Sequence, residues 1–369
     1  MMILVALVTA YHKQLFSELT DKINCGDAVA LQDLMKRNSV QPDAHDDHGM
    51  TLLQHAAFKG NRDMCQLLID LGANPNRGDH EHKYSTLHFA ALSGNVEVCQ
   101  LLLEHGADIS TVNSVGRTPA QMAGFVGNHQ CVSTINNFIP KQNIEFYTID
   151  RDSGKAKLPR AVAPALHRLV LQVNLHPVHL LLVIQKLPLL WENASRVKEV
   201  LDLLCESQMK PGTENNEILS IKYHHLSFVV ATLATELKKK DTAPDAFGNL
   251  LRSLLKTRTS DNFPEYLDNY VRESIRTFPF KTTTIFRQLL LNLASDKRDS
   301  SPAISLLNTM VNGQRGFHDD TSCSTCFEDK APKKCSSCRK VQYCDRDCQK
   351  LHWPFHKKQC DSLAKKTAS

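Results

Sequence analysis

The sequence predicts a mostly α-helical chain in three parts: a repeat solenoid, a helical middle region and a small module stapled by two metal ions. Three observations carry this reading. A glycine followed by Asp or Asn recurs at Gly26, Gly60, Gly94 and Gly127, at intervals of 34, 34 and 33 residues. Apolar residues return at helical spacing through 158–318. Seven of the twelve cysteines and one histidine fall within the 38 residues from Cys323 to Cys360.

The chain's 369 residues suffice for two or three domains, and 42% hydrophobic with 22% charged content is that of a globular protein. The net charge of +5 is modest. Residues 330–369 hold 11 Lys/Arg against three Asp, but thiolates bound to metal offset part of that surplus, so no nucleic-acid footprint is expected. The start, Met1 to Ala10, is apolar but lacks a basic lead and a cleavage pattern. It is shorter than the roughly 20 residues of a membrane span. It reads as a capping helix or an alternative start, and its targeting role stays open. No transmembrane segment is expected elsewhere. The cysteines outside the cluster, Cys25, Cys65, Cys99, Cys131 and Cys205, are odd in number, as suits reduced core thiols in a cytosolic protein.

Residues 1–140 form the repeat array. Gly49-Met-Thr-Leu-Leu-Gln-His-Ala56-Ala57 aligns with Lys83-Tyr-Ser-Thr-Leu-His-Phe-Ala90-Ala91 and with Gly116-Arg-Thr-Pro-Ala-Gln-Met-Ala123-Gly124. Further on, Cys65-Gln-Leu-Leu-Ile-Asp-Leu-Gly72-Ala73 matches Cys99-Gln-Leu-Leu-Leu-Glu-His-Gly106-Ala107. This resembles the ankyrin repeat, whose period is near 33. About four units are expected, near 13–45, 46–80, 81–113 and 114–140. Small Ala residues let first helices lie close, and Leu67, Leu68, Leu101 and Leu102 are expected to fill the second helices' buried stripe. One unit cannot bury its own apolar face, so stacking supplies the core. Such an array binds proteins through its hairpin fingers, here Asp46-Asp47-His48 and Asp79-His80-Glu81-His82-Lys83-Tyr84. Neighbouring turn residues rarely converge on one ion, so His80, Glu81 and His82 read as a protein-contacting finger.

Residues 141–157 are polar and without period, which predicts a linker. Residues 158–318 predict a helical region of unassigned function. Its stripes are Leu166, Leu169, Val170, Val173; Val197, Val200, Leu201, Leu204, Cys205; Leu226, Val229, Val230, Leu233, Leu237; Phe247, Leu250, Leu251, Leu254, Leu255; and Leu267, Tyr270, Val271, Ser274, Ile275, Phe278. Ser301-Pro302 marks a last helix start, and Pro177, Pro211, Pro244, Pro264 and Pro279 punctuate the series. His224-His225 reads as a surface or core pair. No phosphate-cradling Gly loop, zinc-protease helix or nucleophile elbow is present, so no catalytic residue and no small-molecule substrate is assigned.

The C-terminal module spans 319–363, with a basic tail at 364–369. Its order is Cys323-x2-Cys326, eight residues, Cys335-x2-Cys338, five residues, Cys344-x3-Cys348, seven residues, His356-x3-Cys360. Eight thiolate and imidazole ligands fill two tetrahedral zinc sites with no open position, a structural rather than catalytic arrangement. Knuckle spacing marks the first two pairs; the last two, four apart, would each share a helix face. Spacing leaves open whether the pairs combine in chain order or interleaved. His352 reads as an exposed helix residue.

Tyr343-Cys344, Cys348-Gln349, Trp353, His356 and Cys360, with the two knuckles, resemble a MYND zinc finger. That resemblance implies interleaved ligation: Cys323, Cys326, Cys344 and Cys348 on one zinc, Cys335, Cys338, His356 and Cys360 on the other. It also implies a groove for proline-containing peptides at Gln349 and Trp353, which share a helix face. An aromatic groove suits proline segments because their extended conformation is already restricted.

The order of modules, with Asn113-Ser-Val-Gly-Arg-Thr118 and Asn174-Leu-His-Pro177 between the ends, resembles the ankyrin repeat and MYND domain-containing protein 2 family. The departures are the apolar start and Lys83, where a repeat usually carries Gly. The resemblance implies a non-enzymatic adaptor, cytoplasmic and ciliary, that delivers membrane signalling proteins such as nucleotide cyclases and contacts an FKBP-type immunophilin. The alternative is a nuclear corepressor-type scaffold that uses the same peptide groove.

Overall fold

The structure, a computed structural model, describes residues 2–78, 80–150, 156–210, 216–239, 245–258, 260–261, 263–295, 302–313, 321–329 and 331–365, with the backbone alone at 2–9, 295 and 361–365. The chain divides into two units, 1–140 and 141–369.

In the first unit each repeat contributes a helix pair: α1 (Met2–Cys25) with α2 (Ala28–Arg37), α3 (Leu52–Lys59) with α4 (Arg62–Asp70), α5 (Thr86–Ser93) with α6 (Val96–Glu104), and α7 (Pro119–Phe125) with α8 (His129–Asn136). First helices pack on first helices, and among second helices α4 packs on α6 and α6 on α8. The recurring glycine dipeptide explains both the turn and the stacking. Gly60 and Gly94 end α3 and α5 in the left-handed conformation, at φ 70° and 73°, which favours glycine. The next residue starts the second helix: Asn61 Oδ1 accepts from the Met64 amide at 3.1 Å and Asn95 Oδ1 from Val98 at 3.0 Å. Asparagine amides at this position also reach back. Asn95 Nδ2 donates to the Gly60 carbonyl at 2.8 Å, and Asn128 Nδ2 to those of Ala91 and Leu92 at 2.9 and 3.0 Å.

At the front of each first helix, Thr51, Ser85 and Thr118 form capping boxes with Gln54, His88 and Gln121. Gln54 Nε2 also donates to the Arg77 carbonyl (3.0 Å) and His88 Nε2 to that of Arg117 (2.9 Å), tying each unit to the next finger. Ala56, Ala57, Ala90, Ala91 and Ala123 are fully buried, as close helix stacking requires. Leu68, Leu101 and Leu102 are buried, whereas Leu67 is only half-buried, so the expected stripe is narrower in that unit. Cys65, Cys99, Cys131 and Cys205 are buried, but Cys25 is exposed at the end of α1 and is not a core thiol. The helix α1 begins well before the start near residue 13 expected for the first unit, and Phe16, Leu19 and Ile23 anchor it.

The fingers share a local device. Asp46 Oδ1 accepts from the amides of His48 and Met50, both at 2.9 Å, and Asn113 Oδ1 from Val115 and Arg117 at 3.1 and 3.0 Å. His80 holds the equivalent place in the middle finger through a longer 3.3 Å bond from the His82 amide to Nδ1. Burial would lift the Asp46 carboxyl, yet the amides of Met50 and His48 and the His55 ring hold it below the usual range. Asp46 is therefore spent on its own hairpin.

In the second unit, residues 141–150 are folded rather than linking. They carry α9 (Lys141–Glu145) and a 3-10 turn at Phe146–Thr148, with Ile144 buried and the Leu158 amide on the Tyr147 carbonyl at 2.9 Å. The rest of the expected linker includes 151–155, which lie outside the described residues. One-turn elements bury too few side chains to display a period. Then follow α10 (Ala163–Val170), α11 (Pro177–Gln185), α12 (Pro188–Glu192), α13 (Ala194–Ser207), α14 (Glu217–Lys238), α15 (Ala246–Leu254), α16 (Glu265–Arg276), α17 (Thr284–Ser295) and α18 (Ala303–Asn312). The long α14 is central, packing on α11 through α13 and α15 through α18. Val173 falls beyond the end of α10. Pro302 precedes α18, while Ser301, Pro211 and Pro244 lie outside the described residues.

Candidate metal centre

The C-terminal module is built from two knuckles, a short antiparallel hairpin and a helix. The hairpin pairs β1 (Lys333–Lys334) with β2 (Gln342–Tyr343), Lys333 opposite Tyr343, and α19 runs Arg346–Lys365. The knuckles are alike. In each, the residue after the second cysteine takes positive φ, Phe327 at 59° and Arg339 at 55°. Its amide donates to the carbonyl of the first cysteine, at 2.9 Å for Cys323 and 3.0 Å for Cys335. The turn thereby brings both thiols of a knuckle to one side.

The hairpin and helix deliver the remaining ligands. Cys348, His356 and Cys360 lie on α19, but Cys344 precedes it, so the expected helical pair Cys344/Cys348 is half loop and half helix. Asp345 makes the switch: its Oδ1 accepts from the Cys348 amide at 2.8 Å. Nothing in the cysteine spacing marks Asp345, although an Asp three residues before the first helical ligand is a capping signal. Thr325 Oγ fixes the first knuckle to α19 by donating to the Cys348 carbonyl at 2.7 Å.

The donor atoms gather in two tetrads, Cys323, Cys326, Cys344 and Cys348, and Cys335, Cys338, His356 and Cys360; within each, all lie within 4.8 Å of one another. Cys326 Sγ stands 3.5 Å from Cys344 Sγ and 3.8 Å from Cys348 Sγ; Cys335 Sγ is 3.8 Å from Cys360 Sγ, and Cys338 Sγ 3.5 Å from His356 Nε2. A tetrahedron with zinc–sulfur arms of about 2.3 Å has edges of about 3.8 Å, so the spacing fits zinc. All eight are buried except the half-buried Cys344. The second knuckle is prepared for an anion: burial pushes the Cys335 thiol up, but the amides of Cys338 and Ser337 aimed at it, with His356, bring it down to about 6. Zinc in such a site supplies a tetrahedral cross-link between segments distant in the chain.

Other candidate residues stand as follows. His352 is not an exposed helix residue. Its Nδ1 lies 3.1 Å from the Tyr343 hydroxyl, its ring stacks on that of His356 at 5.8 Å, and burial pushes it down to about 4. It braces a ligand without belonging to a tetrad. Gln349 is half-buried and Trp353 is 42% exposed, one turn apart on α19. In the ankyrin finger, Glu81 Oε1 lies 3.6 Å from His48 Nδ1 and 3.5 Å from His82 Nε2, all three exposed. Those groups form a polar surface cluster outside the two tetrads. His225 is a core residue, donating from Nε2 to the Leu175 carbonyl at 3.0 Å and meeting Ser274 Oγ at 2.7 Å through Nδ1.

Residues 21–113 match the sequence model for ankyrin repeats, in three copies, and residues 323–360 that for the MYND finger. Along 354 residues the chain is 31% identical to dauer abnormal formation protein 25 of Caenorhabditis elegans, covering 94% of this chain and 90% of that protein. The chain belongs to the ankyrin repeat and MYND domain-containing protein 2 family. In this family member both terminal modules are of protein-interaction type. Shorter likenesses include other proteins that carry a MYND finger. A stretch of 41 residues is 56% identical to the zinc finger MYND domain-containing protein 10 homolog of Drosophila melanogaster, 11% of this chain and 9% of that protein. Another of 65 residues is 42% identical to the N-lysine methyltransferase SMYD2 of Rattus norvegicus, 17% of this chain and 14% of that enzyme. Among the described residues no helix is long and apolar enough to cross a membrane.

Proposed function

We propose that this family member is a non-enzymatic adaptor whose ankyrin surface and MYND finger hold separate protein partners, with zinc serving structure alone. The observation carrying this is the colinear alignment over 94% of the chain, with an interaction module at each end. In this reading Cys323, Cys326, Cys344 and Cys348 hold one zinc, and Cys335, Cys338, His356 and Cys360 the other. Protein side chains fill every position, so neither ion has a place for substrate. Gln349 and Trp353 line a groove for a proline-containing peptide. The family resemblance assigns the cargo as membrane signalling proteins such as nucleotide cyclases, delivered to the cilium from the cytoplasm, with an FKBP-type immunophilin as companion.

Calorimetric titration of the purified full chain with an FKBP-type immunophilin and with a proline-containing peptide tests the reading. Saturable binding of both is expected, and Trp353→Ala should weaken the peptide alone, by about tenfold, with zinc content unchanged. Absence of immunophilin binding would remove that partner, and unchanged peptide affinity would reduce Trp353 to packing.

A further inference from the structure

The two metal sites differ in what they touch. Among the described residues, the hydrogen bonds of Cys335, Cys338, His356 and Cys360 stay within the finger. The first knuckle instead meets the non-helical segment between α10 and α11 and the first turn of α11. Asn174 Nδ2 donates to the Cys326 carbonyl at 2.9 Å and to Glu328 Oε2 at 3.0 Å. His179 Nδ1 stands 3.3 Å from the same carboxylate oxygen, and the His176 ring lies flat on Phe327, 4.8 Å between centroids and 18° between planes. One of these contacts falls on the carbonyl of ligand Cys326 itself, and the other three fall on Phe327 and Glu328, the residues that leave the knuckle.

The receiving segment is itself held by the helical core. The Leu175 amide donates to Asn308 Oδ1 at 3.1 Å, Asn312 Nδ2 to the Val173 carbonyl at 2.7 Å, and His225 to the Leu175 carbonyl. Asn174 is fully engaged, since its Oδ1 also accepts from the His176 amide at 3.0 Å. Asn174 and His176 are buried, so removing the knuckle would expose the imidazole face and leave the Asn174 amide without its acceptors. An irregular backbone segment depends on such contacts, because it has no ladder of its own.

We propose that the first metal site fastens the helical region as well as the finger: Asn174, His176 and His179 form a seat for the Cys323–Cys326 knuckle, so zinc there orders the segment joining α10, α11 and α18, whereas zinc at the second site orders the finger alone. The inference rests on the ligand sets proposed above and is independent of the adaptor's partners. It gives the conformation of residues 173–185 a dependence on zinc that cysteine spacing does not imply, and it assigns Asn174 and His179 as positioning residues for a metal they do not ligate.

Hydrogen exchange read by mass spectrometry on the full chain, with zinc counted in parallel, tests this. Cys326→Ser should speed exchange across 173–185 and 303–312 by about tenfold, while Cys338→Ser leaves both segments within about twofold, residues 52–104 serving as an unaffected reference. Asn174→Ala should retain two zinc ions yet speed exchange at 173–185 and 321–329 by about fivefold. Equal effects of the two cysteine substitutions, or unchanged exchange in Asn174→Ala, would overturn the seat while leaving the ligand sets intact. Fewer than two zinc ions in the unsubstituted chain would overturn the ligand sets and the seat together.

Discussion

Lys83 occupies the place that Gly49 and Gly116 hold in the neighbouring fingers, and it adopts their left-handed backbone at φ 56°. Its amide closes the same turn, onto the His80 carbonyl at 2.7 Å, as Gly49 does onto Asp46 and Gly116 onto Asn113. The hairpin is therefore kept at the cost of a strained lysine, about 1 kcal/mol. Lys83→Gly should raise the melting temperature of the first unit by about 2–4 °C without changing the fold, as differential scanning calorimetry would show. A drop would mean that the lysine side chain makes a contact worth more than the strain.

His225 supplies a second residue-scale test. Burial pushes its imidazole down to about 4, with the Leu175 carbonyl partly opposing. Unfolded, a histidine takes a proton near pH 6.5; folded, this one resists until about pH 4. The unfolded state thus binds more protons in that window, so stability falls as pH drops, by about 1.4 kcal/mol per unit at most. His225→Asn should be less stable at pH 7 but lose less stability between pH 6.5 and 4.5. Urea midpoints at four pH values would check this, and parallel curves would contradict it.

At the scale of elements, the glycine–asparagine dipeptides were legible as a period but not as a bridge. Sequence alone marks Gly60 and Gly94 as turns; only the fold brings Asn95 Nδ2 to the Gly60 carbonyl a repeat away. Asn95→Ala removes a helix cap and that bridge at once, and should destabilise the first unit by about 2 kcal/mol, more than an ordinary cap deletion. Chemical denaturation of the variant measures this, and a loss under half that would mean the bridge contributes nothing. Helices with full apolar stripes, such as α13 and α14, could be read directly because burial on a 3.6-residue period leaves a visible trace. The folded stretch 141–150 left none, since its two short turns bury Ile144 alone. Cys344 misled for another reason: a spacing of four fits a helix, but a capped turn places two thiols equally well. His352 misled because its packing on Tyr343 and His356 is tertiary, not periodic.

At the scale of the whole molecule, the repeat unit and the finger stand on different physics. The repeat unit is built around stacked apolar helices, with Leu52, Leu68, Leu87 and Leu102 fully buried. The finger has few buried apolar side chains, and structural zinc in such modules contributes about 10–16 kcal/mol, more than so short a segment gains from its core. Chelation of the full chain should release both ions and abolish protection of amides in 321–365, while the repeat unit's melting temperature holds. The ends of the chain were readable because ligand spacing and repeat period are properties of sequence. The centre was readable only as helices, because the residues that join it to the finger, Asn174, His176 and His179, carry no pattern.

Seven thiolates and one imidazole are expected to hold two zinc ions with nothing left for chemistry. Zinc-edge X-ray absorption on the metal-counted full chain tests it most directly. Two ions per chain and an averaged shell of seven sulfurs to one nitrogen, at about 2.3 and 2.0–2.1 Å, are expected. A resolved water oxygen in that shell, or a count of one ion, would contradict it.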